Sequence, residues 1–380
     1  MESIYLDFNA TTPVDQSVFD AMIPYLSAEF GNPSSAHMQG VRAKKAIDEA
    51  RKHVAALINA KPEEIIFTSG GTESDNHAIM GTAFAHRDRG RHIIISAIEH
   101  PAVTAVCHYL TNHGFTTTIV PVDETGLVEP ADIEKAIRAD TIIISIMHAN
   151  NEVGTVQPLA DIATIAEKHA VAVHADAAQS VGKIPVDVND LGVDLLTIAG
   201  HKIYAPKGIG ALFIREGTVI ENFMHGAGHE NNRRAGTENV AGIVGLGAAC
   251  RLAAEHGAET MAHMTKMRNL LATLIYDTVP DVRRNGHPHR CLPNTLSMSF
   301  RDVDATALVS ELVTADIAVS AGAACHAGET AISPTLTAMM VPLDYARGTI
   351  RFSVGKPTTR EEIEVAADAV AKSVSRLRAS

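Results

Sequence analysis

Cysteine is scarce in this sequence, with four residues in 380, at positions 107, 250, 291 and 325. They are scattered and form no C-x-x-C pair. That excludes a disulfide framework and a zinc knuckle, and it fits a reducing cytoplasm. No apolar run approaches the roughly 20 residues that span a bilayer, so no membrane association is expected. Met1-Glu2-Ser3 leads straight into a strand-like segment, without a basic and apolar signal region. Basic residues are outnumbered as well: 32 Lys and Arg against 44 Asp and Glu give a net charge of -12. A surface of that sign does not coat nucleic acid and points to a small molecule or a protein as partner. Internal repeats and low-complexity tracts are absent.

What remains is ordinary for a globular enzyme, with 46% apolar and 20% charged residues. The length is too great for one small core and predicts two domains. Apolar runs at 64–68, 91–96, 141–146, 171–176, 193–198 and 211–214 read as buried strands. Helix-like stretches alternate with them. This predicts an α/β fold with a right-handed, mostly parallel sheet covered on both faces. Ahead of it, 5–9 is strand-like, Ala10-Thr11-Thr12-Pro13 breaks the pattern, and 18–26 is helix-like. Ser34 and Ser35 offer caps for a helix over about 36–58. Residues 239–256 predict an Ala/Gly-rich helix. Beyond about 258 the pattern changes to a long polar-faced helix, a period-two strand at 295–300, a helix at 304–312 and a strand at 317–320. A smaller α+β unit is the expectation there.

Several residues carry possible chemistry. Lys202 stands at a strand end in Gly200-His201-Lys202-Ile203-Tyr204, on a turn held by Pro206 and Gly208. It is either a solvated turn residue or an amine whose pKa falls enough to condense with an aldehyde. Asp176 closes the run at 171–176 as either a helix N-cap or the partner of a cationic ring nitrogen. Ser69-Gly70-Gly71-Thr72 lies between a strand and a helix, where free N–H groups at the positive helix end cradle an anion. Glu73 reads as a cap. His100 follows a strand end, where ligands gather in α/β sheets, or is structural. Arg351 alternates like a strand residue, and its planar fork suits a carboxylate. Cys325 sits in the small-residue loop Ala321-Gly322-Ala323-Ala324-Cys325-His326-Ala327-Gly328, and a thiolate is the reactive form of cysteine. His326 either lowers the thiol pKa or only sits on that loop. Cys250 reads as a small buried residue, and Cys107 and His108 as structural.

Ala175-Asp176-Ala177-Ala178-Gln179 together with Gly200-His201-Lys202-Ile203-Tyr204 resembles the cysteine desulfurases, pyridoxal-phosphate enzymes of the class V aminotransferase group. The nitrogen-fixation and iron–sulfur-cluster sulfur donors are of this kind. Tyr5-Leu6-Asp7, Ala10-Thr11-Thr12-Pro13 and Ile350-Arg351-Phe352-Ser353 extend the resemblance over nearly the whole chain. It implies the fold-type-I transferase architecture, with a large domain over 13–258 built on a mostly parallel seven-stranded sheet. A small domain, 1–12 with 259–380, would carry the cysteine loop. The resemblance further implies pyridoxal 5'-phosphate on Lys202, its phosphate on Gly71 and Thr72, Asp176 on the ring nitrogen and His100 stacked on the ring. Asn151, Gln179 and His201 would complete the cofactor contacts, with no metal. Thr237 would reach the phosphate of a neighbouring subunit in a homodimer.

By the same resemblance, L-cysteine is held by Arg351 and Asn151 and leaves as alanine. Its sulfur becomes a persulfide on Cys325 and passes to an acceptor protein, for iron–sulfur cluster assembly, tRNA thiolation or DNA phosphorothioation. The sequence departs from the iron–sulfur-cluster type at Ala199, where that type has a serine on the phosphate. It departs again at Cys325-His326-Ala327-Gly328, where that type has cysteine-threonine-serine. With Ser333-Pro334, Val341-Pro342 and Ala346-Arg347, the loop is similar to selenocysteine lyases and to desulfurases serving DNA phosphorothioation. Selenocysteine is therefore an alternative substrate, and another fold-type-I aminotransferase a further alternative.

Overall fold

A computed structural model of the chain describes residues 3–321 and 332–379. After a two-residue strand, Ile4–Tyr5 (β1), the apolar runs form a single sheet. Its strands are Ile65–Thr68 (β2), His92–Ser96 (β3), Thr116–Val120 (β4), Thr141–Ser145 (β5), Ala172–Asp176 (β6), Leu195–Ala199 (β7) and Gly210–Ile214 (β8). The order is β2-β8-β7-β6-β5-β3-β4. Strands β3 to β7 pair in parallel, and β8 is antiparallel to both β2 and β7. Successive residues enter opposite cores: Ile94, Ile144, Leu196 and Phe213 on one face, Ile93, Ile143, Leu195 and Leu212 on the other. A sheet covered on both faces has no polar side, which is why its strands read as unbroken apolar runs. Strand β4 has no such run in the sequence. It lies at the sheet edge, and Thr116 and Ile119 are exposed, so burial left no apolar signature.

The helices that matter for the site are Gln16–Leu26 (α1), Met38–Leu57 (α2), Gly71–Ala85 (α3) and Pro101–Thr111 (α4). The serines expected to cap α2 do not do so. His37 is its N-cap, and its Nδ1 accepts from the Gly40 N–H at 3.3 Å. The Ser34 N–H instead donates to Asn32 Oδ1.

A second core surrounds Val282–Asn285 (β9), Thr295–Phe300 (β10), Ile317–Ala318 (β11), Ser320–Ala321 (β12) and Thr349–Ser353 (β13). The antiparallel order is β12-β13-β10-β9, and β11 pairs in parallel with β1. Leu296, Met298 and Phe300 alternate into this core as the period-two pattern requires. The two helices expected around residue 258 are one, Val240–Thr278. Its Ile243, Leu246 and Ala249 pack into the first core and its Met264, Leu271 and Ile275 into the second. Gly257 does not end it, because a glycine inside a helix costs only about 1 kcal/mol. The division expected at residue 258 therefore falls inside a continuous helix. Among the described residues no helix is long and apolar enough to cross a membrane.

Candidate active site

The carboxyl ends of β2, β3, β5, β6 and β7 open onto one cavity of about 330 Å³. Gly71, Thr72 and His100 line it, as do Asn151, Asp176 and Gln179, and so do His201, Lys202 and Arg351. The residues expected to hold cofactor or substrate, or to act in catalysis, thus meet in one place, except two. Thr237 is exposed and lies outside this lining. Cys325, with His326 and its loop, lies outside the described residues. A second cavity of about 320 Å³ sits on the other side of Lys202, with largely apolar walls from Phe8, Val18, Leu252 and Met264. None of the other residues singled out reaches it.

Lys202 closes a short turn, Gly200–Lys202, directly after β7. Only glycine fits at 200, where a Cβ would stand 2.9 Å from both the Ile209 carbonyl oxygen and its Cγ2. The Lys202 Nζ donates to the main-chain oxygens of Asn9 at 2.6 Å and Ala10 at 2.8 Å. Burial, and then the Arg351 guanidinium, push its pKa down to about 8. At neutral pH a usable fraction is therefore the nucleophilic amine. Asp176 is buried at the end of β6, and its Oδ1 accepts from the Ala178 N–H at 2.9 Å. Burial raises its pKa, while His100 and Lys202 act the other way. His100 caps α4 through Nδ1, which accepts from the Ala102 N–H at 3.1 Å. The neutral ring then carries its proton on Nε2, and burial lowers its pKa. His201 is pushed down to about 4, first by burial and then by Lys202.

No side chain caps the start of α3, where Gly70 is the N-cap. Its first-turn N–H groups, at Gly71 and Thr72, are left for a ligand. Glu73 caps the preceding turn, accepting from the Ser69 N–H at 2.7 Å. Ala199 faces Gly71, with 3.4 Å between its Cβ and the position a Gly71 Cβ would take. Arg351 is buried, and its Nη2 pairs with Asp7 at 2.7 Å, while its Nε has no partner in the structure. The Arg351 side chain lines the cavity, where a guanidinium suits a carboxylate. An amine of lowered pKa, an open helix start and a buried carboxylate on separate walls together fit pyridoxal phosphate.

Three residues were missed by the sequence reading. Asn9, 1% exposed, uses every polar atom it has. Its main-chain oxygen accepts from Lys202 and Gln179, its Oδ1 from Lys183 and Asn294, and its Nδ2 donates to the Asn151 oxygen and Thr295. It ties both cores to the amine. Asp75 is buried in α3 at 3.6 Å from His174 Nε2, and its Oδ1 has no hydrogen bond. Its position four residues after Gly71 places it on the same helix face, a signal the sequence does carry. Glu99 accepts from Ser96 Oγ at 2.5 Å and from the Met147 N–H at 3.0 Å, and burial pushes it up to about 8.

A family model described as aminotransferase class-V matches residues 4–365. The cysteine desulfurase IscS of Dictyoglomus turgidum is 47% identical over 99% of this chain and 95% of its own length. A solved structure described as a NifS-like protein superposes with a TM-score of 0.93 at 38% identity, covering 99% of this chain and all of that one. SspA, solved in complex with cysteine, gives a TM-score of 0.84 at 37% identity over 93% of this chain and 99% of its own.

Proposed function

The chain belongs to the class-V aminotransferase family, and from that membership we propose that it removes sulfur from L-cysteine and hands it to an acceptor protein. It is a pyridoxal-phosphate-dependent cysteine desulfurase. The observation that carries this reading is the meeting of Lys202, Asp176, the open start of α3 and Arg351 around one cavity.

Pyridoxal phosphate, when bound, supplies an aldehyde for an amine and a ring that stores the electron pair released at the substrate Cα. Gly71 and Thr72 would hold its phosphate, joined by Thr237 of a second subunit in a homodimer. Asp176 would keep the ring nitrogen protonated, with His100, Gln179 and His201 around the ring. Arg351 and Asn151 orient the substrate carboxylate. Lys202, freed as an amine, takes the proton from Cα. The Cys325 thiolate then attacks the substrate sulfur. An S–S bond forms, the Cβ–S bond breaks, Cβ gains a proton, and Lys202 returns a proton to Cα. Cysteine leaves as alanine and one sulfur stays on Cys325. The unpaired Cys107, Cys250 and Cys291 support work in a reducing cytoplasm.

Mass spectrometry of the holoenzyme after incubation with cysteine tests this reading. One added sulfur on Cys325, with matching alanine, is expected. Alanine released at the parent rate by Cys325→Ala would remove Cys325 as the nucleophile. If that variant loses release from cysteine but keeps it from selenocysteine, the selenocysteine reading takes its place.

A further inference from the structure

Strand β2 is an edge of the seven-stranded sheet, and an unpaired edge leaves backbone groups open. Here a buried ion pair occupies that edge in place of a neighbouring strand. Arg51 of α2 donates through Nη1 to the Ile65 oxygen at 2.6 Å. The Phe67 N–H donates to Glu230 Oε2 at 2.9 Å. The two side chains close on each other bidentately, Nη1 to Oε2 at 2.8 Å and Nη2 to Oε1 at 2.7 Å, with side-chain exposures of 9% and 2%. The Arg51 guanidinium also lies 4.7 Å from the centroid of the Phe67 ring.

Glu230 opens a run that ordinary residues adopt only when held there. Glu230, Asn231 and Asn232 have φ of 46°, 57° and 64°, three left-handed residues in succession without a glycine. The segment then places Arg234, whose Nε and Nη2 donate to Glu73 at 2.9 and 3.2 Å. Glu73 in turn holds the Ser69 N–H. One segment thus grips the turn between β2 and α3 from both sides. Glu230 grips β2 just before Ser69-Gly70-Gly71, and Arg234 grips the first turn of α3 just after it.

We propose that the Arg51–Glu230 pair is a positioning device for the phosphate cradle at Gly71 and Thr72. The proposal rests on the reading of that turn as the cofactor's phosphate site. The pair pins the left-handed run. The run aims Arg234 at Glu73, and Glu73 fixes the turn from which the helix N–H groups project. Without the pair the segment relaxes toward ordinary backbone, both grips loosen, and the N–H groups lose their common direction. The ring contacts, which come from the ends of β3, β6 and β7, do not depend on it.

The test compares pyridoxal 5'-phosphate with pyridoxal, which lacks the phosphate, binding to full-length protein stripped of cofactor, followed by absorbance. The variants are Glu230→Gln, which removes the charge at constant size, and Arg51→Lys, whose single ammonium cannot span both carboxylate oxygens. The Kd for pyridoxal phosphate should rise about tenfold or more, the scale of one charge-assisted hydrogen bond. The Kd for pyridoxal should stay within about twofold. A lowered melting temperature with the preference for the phosphorylated form intact, in either variant, would make the pair purely structural and overturn the proposal. Unaltered protein that shows no such preference would instead remove the cradle reading beneath it.

Discussion

Lys202 is useful only if part of it is an uncharged amine, and two neighbours decide how much. Burial is the larger influence on its pKa of about 8 and Arg351 the next, while Asp176 and Asp7 work against both. Arg351→Gln removes the opposing cation and leaves Asp7 without its 2.7 Å partner. Both changes favour the ammonium. In cofactor-free protein, the pH midpoint for labelling Lys202 with an amine-selective reagent should therefore climb above that of the parent. A midpoint that stays put would mean that burial alone sets the amine. Because Arg351 is also proposed to hold the substrate carboxylate, this labelling separates its effect on the amine from its effect on cysteine binding.

At the scale of elements, packing decides which glycines are required. Gly257 lies in the helix Val240–Thr278 with no atom within 4 Å of an added Cβ. Gly257→Ala should stabilise by about 0.5–1 kcal/mol, the backbone freedom removed from the unfolded chain. Gly247, on the same helix, would push a Cβ to 2.6 Å from the Cα and Cβ of Ala50 in α2. Gly247→Ala should cost about 1–3 kcal/mol, the price of overpacking. Urea midpoints for the two variants should move in opposite directions, and equal shifts would defeat the packing argument. The same contrast explains what was legible in the sequence. Central strands declared themselves because both faces are buried, and Lys202, Asp176 and Gly71 because they sit at strand or helix ends. Strand β4 was silent because its outer positions face solvent. Asn9 was silent because one asparagine in a strand-like opening says nothing of the seven distant residues it bonds. The edge-capping role of Glu230 depends on a contact with Arg51 that no local pattern encodes.

For the molecule as a whole, placing a charged site at the carboxyl ends of a covered sheet links folding to pH. Glu99 is held near 8 against an ordinary 4.5, first by burial and also by Asp176. The folded carboxyl keeps its proton through an interval where the unfolded one has lost it. The folded state therefore binds more protons there, and this group's contribution to stability is full below about 4.5 and declines as pH rises toward 8. Buried Lys183 and Lys202, both shifted downward, contribute with the opposite sign. A single stability curve for the parent would mix the two effects. The difference between parent and Glu99→Gln isolates the carboxyl, since the amide does not titrate and the lysines are common to both proteins. Measured by urea denaturation of cofactor-free protein, parent stability minus variant stability should fall steadily from pH 5 to pH 8. A difference that is flat, or that grows with pH, would mean that Glu99 is ionised in the fold at neutral pH and that the carboxylates beneath the cavity share their charge differently.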